Sequence, residues 1–123
     1  MTLVLAVGLA GGLGAVLRYL ADGAVQDRVS GPFPYGTLVV NVGGSLALGL
    51  LTGLGWYHGL SGNARAVLGV GCCGGLTTWS TASWETVRLA EDGLFRAAFA
   101  YTLGGLAAAV AAAAAGMALA AVA

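Results

Sequence analysis

Between residues 69 and 85 the chain reads Gly-Val-Gly-Cys-Cys-Gly-Gly-Leu-Thr-Thr-Trp-Ser-Thr-Ala-Ser-Trp-Glu. Five hydroxyl residues, Thr77, Thr78, Ser80, Thr81 and Ser83, fall within seven positions, directly after the pair Gly74-Gly75. A glycine pair predicts a broken helix, and a break at membrane depth is tolerated where the freed backbone is buried or serves an ion. The incoming half-helix would present carbonyls suited to a cation. The outgoing half would present N–H groups and its positive dipole end to an anion. Hydroxyls bonded back to their own helix are the alternative. Asn41, followed by Ser45, is a second polar site within an apolar run. Its amide either ties two helices together or faces a water- or ion-filled path.

Other chemistries find no footing. Gly69-x-Gly71-x-x-Gly74, with Glu91 further on, matches a dinucleotide-binding fingerprint. That motif needs a preceding strand in a soluble βαβ unit, which an apolar span cannot supply. The only histidine, His58, has no carboxylate placed near it, so neither a Ser/His pair nor a metal site assembles. The adjacent Cys72 and Cys73 read as small core residues. With no nucleophile–base pair visible, the chain is not expected to be an enzyme.

The elements that position these residues follow from composition. Hydrophobic residues make up 59% and charged residues 8%, against roughly 25% charged in an ordinary soluble domain. All five basic residues are Arg, five acids balance them, and no basic cluster exists, which excludes nucleic-acid binding. A soluble globule this small needs a charged surface. The chain therefore reads as an all-α membrane protein. Charge-free windows cover 1–17, 29–64, 66–84 and 97–123. A crossing helix needs about 20 apolar residues. One domain, 1–123, is predicted, with four spans at 2–21, 35–57, 65–88 and 94–121. Pro32 and Pro34 delay the second span to residue 35, and the third is expected to break near Gly74-Gly75. The first lacks a positive n-region and an Ala-x-Ala site, so it reads as a retained span rather than a leader. Arg18 is expected to reach from the end of this span to the interface.

Gly8/Gly12, Gly49/Gly53 and Gly71/Gly75 lie four apart, and Gly43/Ala47 and Gly104/Ala108 keep the same rhythm, which predicts close helix packing. The Ala-rich run 107–115 reads as a close-packed helix. Arg28, Arg88 and Arg96, with Arg18 at the edge, fall in the loops after spans one and three, whereas the other side carries only Arg65. That bias predicts both termini outside the cytoplasm.

Three blocks in order, Gly12-Leu-Gly-Ala-Val-Leu-Arg18-Tyr19, Pro34-Tyr-Gly-Thr-Leu-Val-Val-Asn41-Val-Gly-Gly-Ser45 and Gly74-Gly-Leu-Thr-Thr-Trp-Ser-Thr-Ala-Ser-Trp-Glu85, resemble the CrcB/Fluc fluoride channel family. The resemblance spans the whole chain. It implies an antiparallel, dual-topology-type dimer of four-span subunits in a cell (inner or plasma) membrane, with two narrow fluoride pores. It also implies passive, potential-driven fluoride export. By similarity, the carbonyls of Gly74 and Thr77 would hold a structural sodium ion shared by both subunits. Asn41 would be the pore-lining amide. Trp79 stands where the family has a first pore phenylalanine, whose electropositive ring edge faces the anion. Thr78, Ser80 and Thr81 would supply donors near the path, and Tyr101 matches a fourth-span pore tyrosine.

Three positions depart from the family: Trp79 replaces that phenylalanine, Ala82 replaces a second one, and Gly105 replaces a pore serine. Some members work as heterodimers of two fixed-topology paralogues, so the second subunit is either another copy or a paralogue. Glu85 either tunes the pore mouth or pairs with Arg88 three residues on. Two rivals remain. A small multidrug transporter shares the four spans but needs a carboxylate in the first, and residues 1–17 hold none. A non-conducting structural or regulatory subunit would tolerate apolar replacements at Asn41 and Thr78.

Overall fold

The computed structural model describes residues 1–123, as helices and turns without a strand. Helix α1 covers Thr2–Gln26, and its 25 residues, roughly 37 Å at 1.5 Å each, exceed the hydrocarbon thickness. Helix α2 covers Tyr35–Tyr57 and begins at Pro34, which lacks the N–H a helix start would leave unpaired. Helix α5, Phe95–Val122, closes the chain. These three helices are long and apolar enough to cross a membrane.

The segment between α2 and α5 is two half-helices. Half-helix α3 opens with Gly62–Arg65, continues as the wider π-helical stretch Ala66–Cys73, and closes with the turn Gly74–Leu76. Half-helix α4 covers Trp79–Glu91. Between them Thr77 (φ −75°, ψ 155°) and Thr78 (φ −147°, ψ 122°) are extended. The break therefore falls after the glycine pair, not within it, since Gly74 is itself helical at φ −65°, ψ −35°. Side chains decide the position. The Thr78 hydroxyl accepts the Thr81 N–H at 3.2 Å and starts α4 as its N-cap. Gly75 has a packing role: a Cβ there would overlap the Gly11 carbonyl and lie 3.0 Å from the Gly11 Cα.

Close packing holds α1 to α3 and α2 to α5. A Cβ on Gly14 would lie 2.9 Å from Leu76 N, and one on Gly71 would lie 2.7 Å from Val7 O. Gly49 and Gly53 meet Ala113, Met117 and Ala120 of α5, while Gly116 of α5 meets Leu46 and Leu50. The expected α1 pair is corrected: Gly8 and Gly12 face open space, and Gly11 and Gly14 make the contact. Gly43 and Gly104 likewise touch nothing within 4 Å. Small residues matter here because lipid gives helices no hydrophobic reason to associate, so backbone approach and dispersion must do it.

Helix α4 ends in a Schellman turn. Leu94 N–H bonds the Leu89 carbonyl at 2.8 Å and Gly93 N–H bonds Ala90 at 3.0 Å, with Gly93 at φ +77°. That reversal sends α5 back beside α4 and places Leu89, Ala98 and Tyr101 in one buried cluster. Most large apolar side chains, including Leu5, Leu9, Trp56, Val70 and Phe99, stay exposed, as an exterior facing hydrocarbon requires.

Candidate functional site

The break between α3 and α4 is held by one side chain of α2. Asn41 Nδ2 donates to the Thr78 carbonyl at 2.9 Å, and the Thr78 N–H donates to Asn41 Oδ1 at 2.7 Å. The side-chain amide thus stands in for a neighbouring strand, pairing both polar backbone groups of an extended residue only 7% exposed. The interhelical reading of Asn41 holds, and one Nδ2 hydrogen is left over. Asn41 also lines a groove of about 530 Å³ bounded by α2, α4 and α5.

Asn41, Thr77, Thr78, Trp79 and Tyr101 meet around this groove, together with Ala82 and Gly105. Ser80 and Thr81 do not line it. They connect through Thr78, whose hydroxyl donates to Thr81 Oγ1 at 3.0 Å and lies 3.3 Å from Ser80 Oγ. Two hydroxyls follow the own-helix alternative: Thr77 Oγ1 donates to the Cys73 carbonyl and Ser83 Oγ to the Trp79 carbonyl. Every residue lining the groove is uncharged. Its polar wall is made of an amide, hydroxyls and the exposed Trp79 indole; most hydroxyl hydrogens are spent on protein acceptors, and the leftover Asn41 N–H, the Trp79 N–H and the Ser45 O–H are donors without a full positive charge.

At the end of the groove nearer the start of α2, Glu85 collects two hydroxyls. Thr37 Oγ1 donates to one carboxylate oxygen at 2.9 Å and Tyr101 OH to the other at 2.7 Å. Phe33 meets the Tyr101 ring edge-on at 5.5 Å. Thr37 and Tyr101 are 2% and 4% exposed, so these are buried commitments. The Glu85–Arg88 alternative is corrected, because the Arg88 guanidinium lies over the Trp84 ring at 5.3 Å. Tyr101→Phe keeps the packing and removes the 2.7 Å bond, so it should cost about 1.5–3 kcal/mol, the usual worth of a hydrogen bond to a charged group. Thermal unfolding in detergent measures this, and an unchanged midpoint would show that the pair contributes nothing.

Thr37 was not singled out in the sequence, though a signal exists: Thr37, Asn41 and Ser45 recur every four residues and share one face of α2. Thr102 and Thr86, whose hydroxyls meet at 3.0 Å across α4 and α5, were also missed. Thr102, in the π-helical stretch Ala100–Gly104, further donates to the Ala98 carbonyl one turn back. Arg18 corrects another expectation. It turns inward rather than to the interface, and its Nη1 donates to the Thr77 carbonyl at 3.5 Å.

The end of α3 also bears on cation binding. The Thr77 N–H bonds the Cys73 carbonyl, but the Thr78 N–H goes to Asn41, so the ladder releases the Gly74 carbonyl. Gly74 is exposed, and a Cβ there would meet nothing nearer than 3.9 Å. Free carbonyls are hard oxygen donors of the kind alkali and alkaline-earth cations take. The Gly74 carbonyl fits such an ion, whereas the Thr77 carbonyl already accepts from the Arg18 guanidinium, which leaves it one lone pair for a cation and sets a like charge beside it.

Residues 5–117 match the family model described as CrcB-like protein, Camphor Resistance (CrcB). The chain is 55% identical over 95 residues to Fluoride-specific ion channel FluC 1 of Leifsonia xyli subsp. xyli, covering 77% of this chain and 69% of that protein. It is 58% identical over 85 residues to Fluoride-specific ion channel FluC 2 of Cutibacterium acnes, covering 68% and 69%. With FluC 2 of Haloarcula marismortui it shares 47% over 104 residues, covering 85% and 82%.

Proposed function

This chain belongs to the CrcB-like family, and from that premise we propose that it is a fluoride channel, a transporter rather than an enzyme, that passes the ion through a cell membrane. The observation that carries this reading is the uncharged, donor-lined groove beside the Asn41–Thr78 clamp. Fluoride is small and strongly hydrated, so a pore must replace its water with several donors. A full positive charge in the wall would hold the ion too tightly for it to leave. The leftover Asn41 N–H and the Trp79 ring edge and N–H are donors of this graded kind. An inside-negative potential contributes about 2.3 kcal/mol per 100 mV toward expelling the anion, so no other energy source is needed.

The groove between α2, α4 and α5 is open to the outside, with Trp79 75% exposed, which supports a second subunit completing the path. We assign that role to an antiparallel copy or paralogue. Sodium at the Gly74 and Thr77 carbonyls would supply positive charge where the two α3 ends meet. The arginine bias supports termini outside the cytoplasm.

The test is reconstitution of this chain alone in liposomes, with fluoride release followed by an ion-selective electrode under an imposed potential. Release of fluoride without chloride marks a self-sufficient homodimer. No release from the folded chain, restored by Ala82→Phe with Gly105→Ser, marks dependence on a paralogue. Both positions line the groove, and a Cβ at Gly105 meets only Leu38 Cδ1 at 3.4 Å, so the serine fits. No release from either protein, nor from this chain co-expressed with a paralogue that carries both pore phenylalanines, overturns conduction and favours a structural or regulatory subunit.

A further inference from the structure

We propose that Arg65 makes a second cavity, at the junction of α2 and α3, the anion-collecting mouth of the path; the inference rests on the channel reading above. Arg65 is the only charged side chain between Arg28 and Glu85. It is therefore the one charged side chain at its end of the molecule, which it shares with the Met1 ammonium, the C-terminal carboxylate and the His58 imidazole. Its stem lies across Gly55, where a Cβ would meet Arg65 Cδ at 2.5 Å and Nε at 2.9 Å. Any side chain at Gly55 would displace the arginine, so this glycine leaves the room the Arg65 stem occupies.

The guanidinium is also uncommitted. Arg18 and Arg28 donate to backbone carbonyls and Arg88 lies on Trp84, but Arg65 makes no such contact. The acids gather at the opposite end: Glu85 bonds Thr37 in the first turn of α2, and Asp22 packs on Gly36 beside it. Arg65 instead lines a cavity of about 320 Å³ with Leu48, Thr52, Gly62, Ala66 and Gly69. Leu48 also lines the larger groove, so the two spaces adjoin.

A lone cation in a recess with apolar walls focuses its field into that recess and raises the local anion concentration. Arg65 is exposed to solvent, so its attraction is moderate and releases the ion again. The charge acts at the mouth and leaves the groove itself neutral.

The experiment places a cysteine in the cavity by Thr52→Cys and compares its modification rates with an anionic and a cationic methanethiosulfonate. The parent, with Cys73 buried and Cys72 half-buried, is the blank. The anionic-to-cationic rate ratio should fall roughly tenfold on adding Arg65→Gln and be retained with Arg65→Lys, the scale of electrostatic steering in a cleft. Fluoride flux through Arg65→Gln should drop several-fold at low ionic strength and match the parent near 1 M salt, where the Debye length is about 3 Å. An unchanged ratio, or an introduced thiol that neither reagent reaches, overturns the proposal. A lowered ratio with unchanged low-salt flux overturns the conduction role of Arg65. If no protein conducts, the channel reading fails, and the reagent ratio alone upholds or overturns the anion-collecting cavity.

Discussion

Asn41→Leu is expected to reduce fluoride flux to background and to lower the thermal stability of the purified protein markedly. Leucine nearly matches asparagine in size but supplies neither the donor for the Thr78 carbonyl nor the acceptor for the Thr78 N–H. Thr78 is 7% exposed, so water cannot replace the lost partners. Each unpaired backbone group then costs about 1–3 kcal/mol. The loss falls on a residue whose hydroxyl starts α4, so the clamp, the α4 cap and the groove wall fail together. Asn41→Asp separates stability from conduction. It keeps the acceptor for Thr78 N–H, removes the donor, and places a carboxylate on the groove. Partial stability with no fluoride flux is the expected result. Full flux through Asn41→Leu would remove the main support for a path beside this residue.

The second large effect is a contrast between neighbours. Gly75→Val should leave little protein extractable as a monodisperse species, whereas Gly74→Ala should fold like the parent. A Cβ on Gly75 would overlap the backbone carbonyl of Gly11, and both partners are main chain, so neither can rotate away. Overpacking commonly costs about 1–3 kcal/mol, and a backbone-to-backbone clash belongs at or above the top of that range. Parting α1 from α3 would also shift the break relative to Asn41, since Gly11, Gly14, Gly71 and Gly75 form one contact line. At Gly74 the added carbon meets nothing closer than 3.9 Å. Size-exclusion profiles of the two variants decide the matter. Equal yields would show that the α1–α3 contact is softer than its geometry indicates.

Much of this protein was legible before any coordinates. Scarcity of charge marks a bilayer protein, since charged residues cannot face hydrocarbon cheaply. The prolines before Tyr35 and the hydroxyl cluster after Gly75 mark where a helix starts and where one is interrupted. Such features are local: each depends on a residue and its near neighbours along the chain.

Which glycine does what is not local. Gly8, Gly11, Gly12 and Gly14 all lie on α1, yet only Gly11 and Gly14 face α3. The flanking apolar residues mark no buried face, because lipid and protein interior are equally apolar. The rotation of each helix about its axis is therefore left to packing. The same rotation brings Asn41 to Thr78 across 37 residues of sequence and Tyr101 to Glu85 across 16. It also turned Arg18 inward to Thr77, where its reach alone had suggested the interface. The amino-acid sequence by itself determined that this is an all-helical, multi-pass membrane protein with a polar interruption after the Gly74-Gly75 pair. Tertiary structure alone decided which side chain clamps the interruption, because only helices already seated on one another bring Asn41 within hydrogen-bond reach of Thr78.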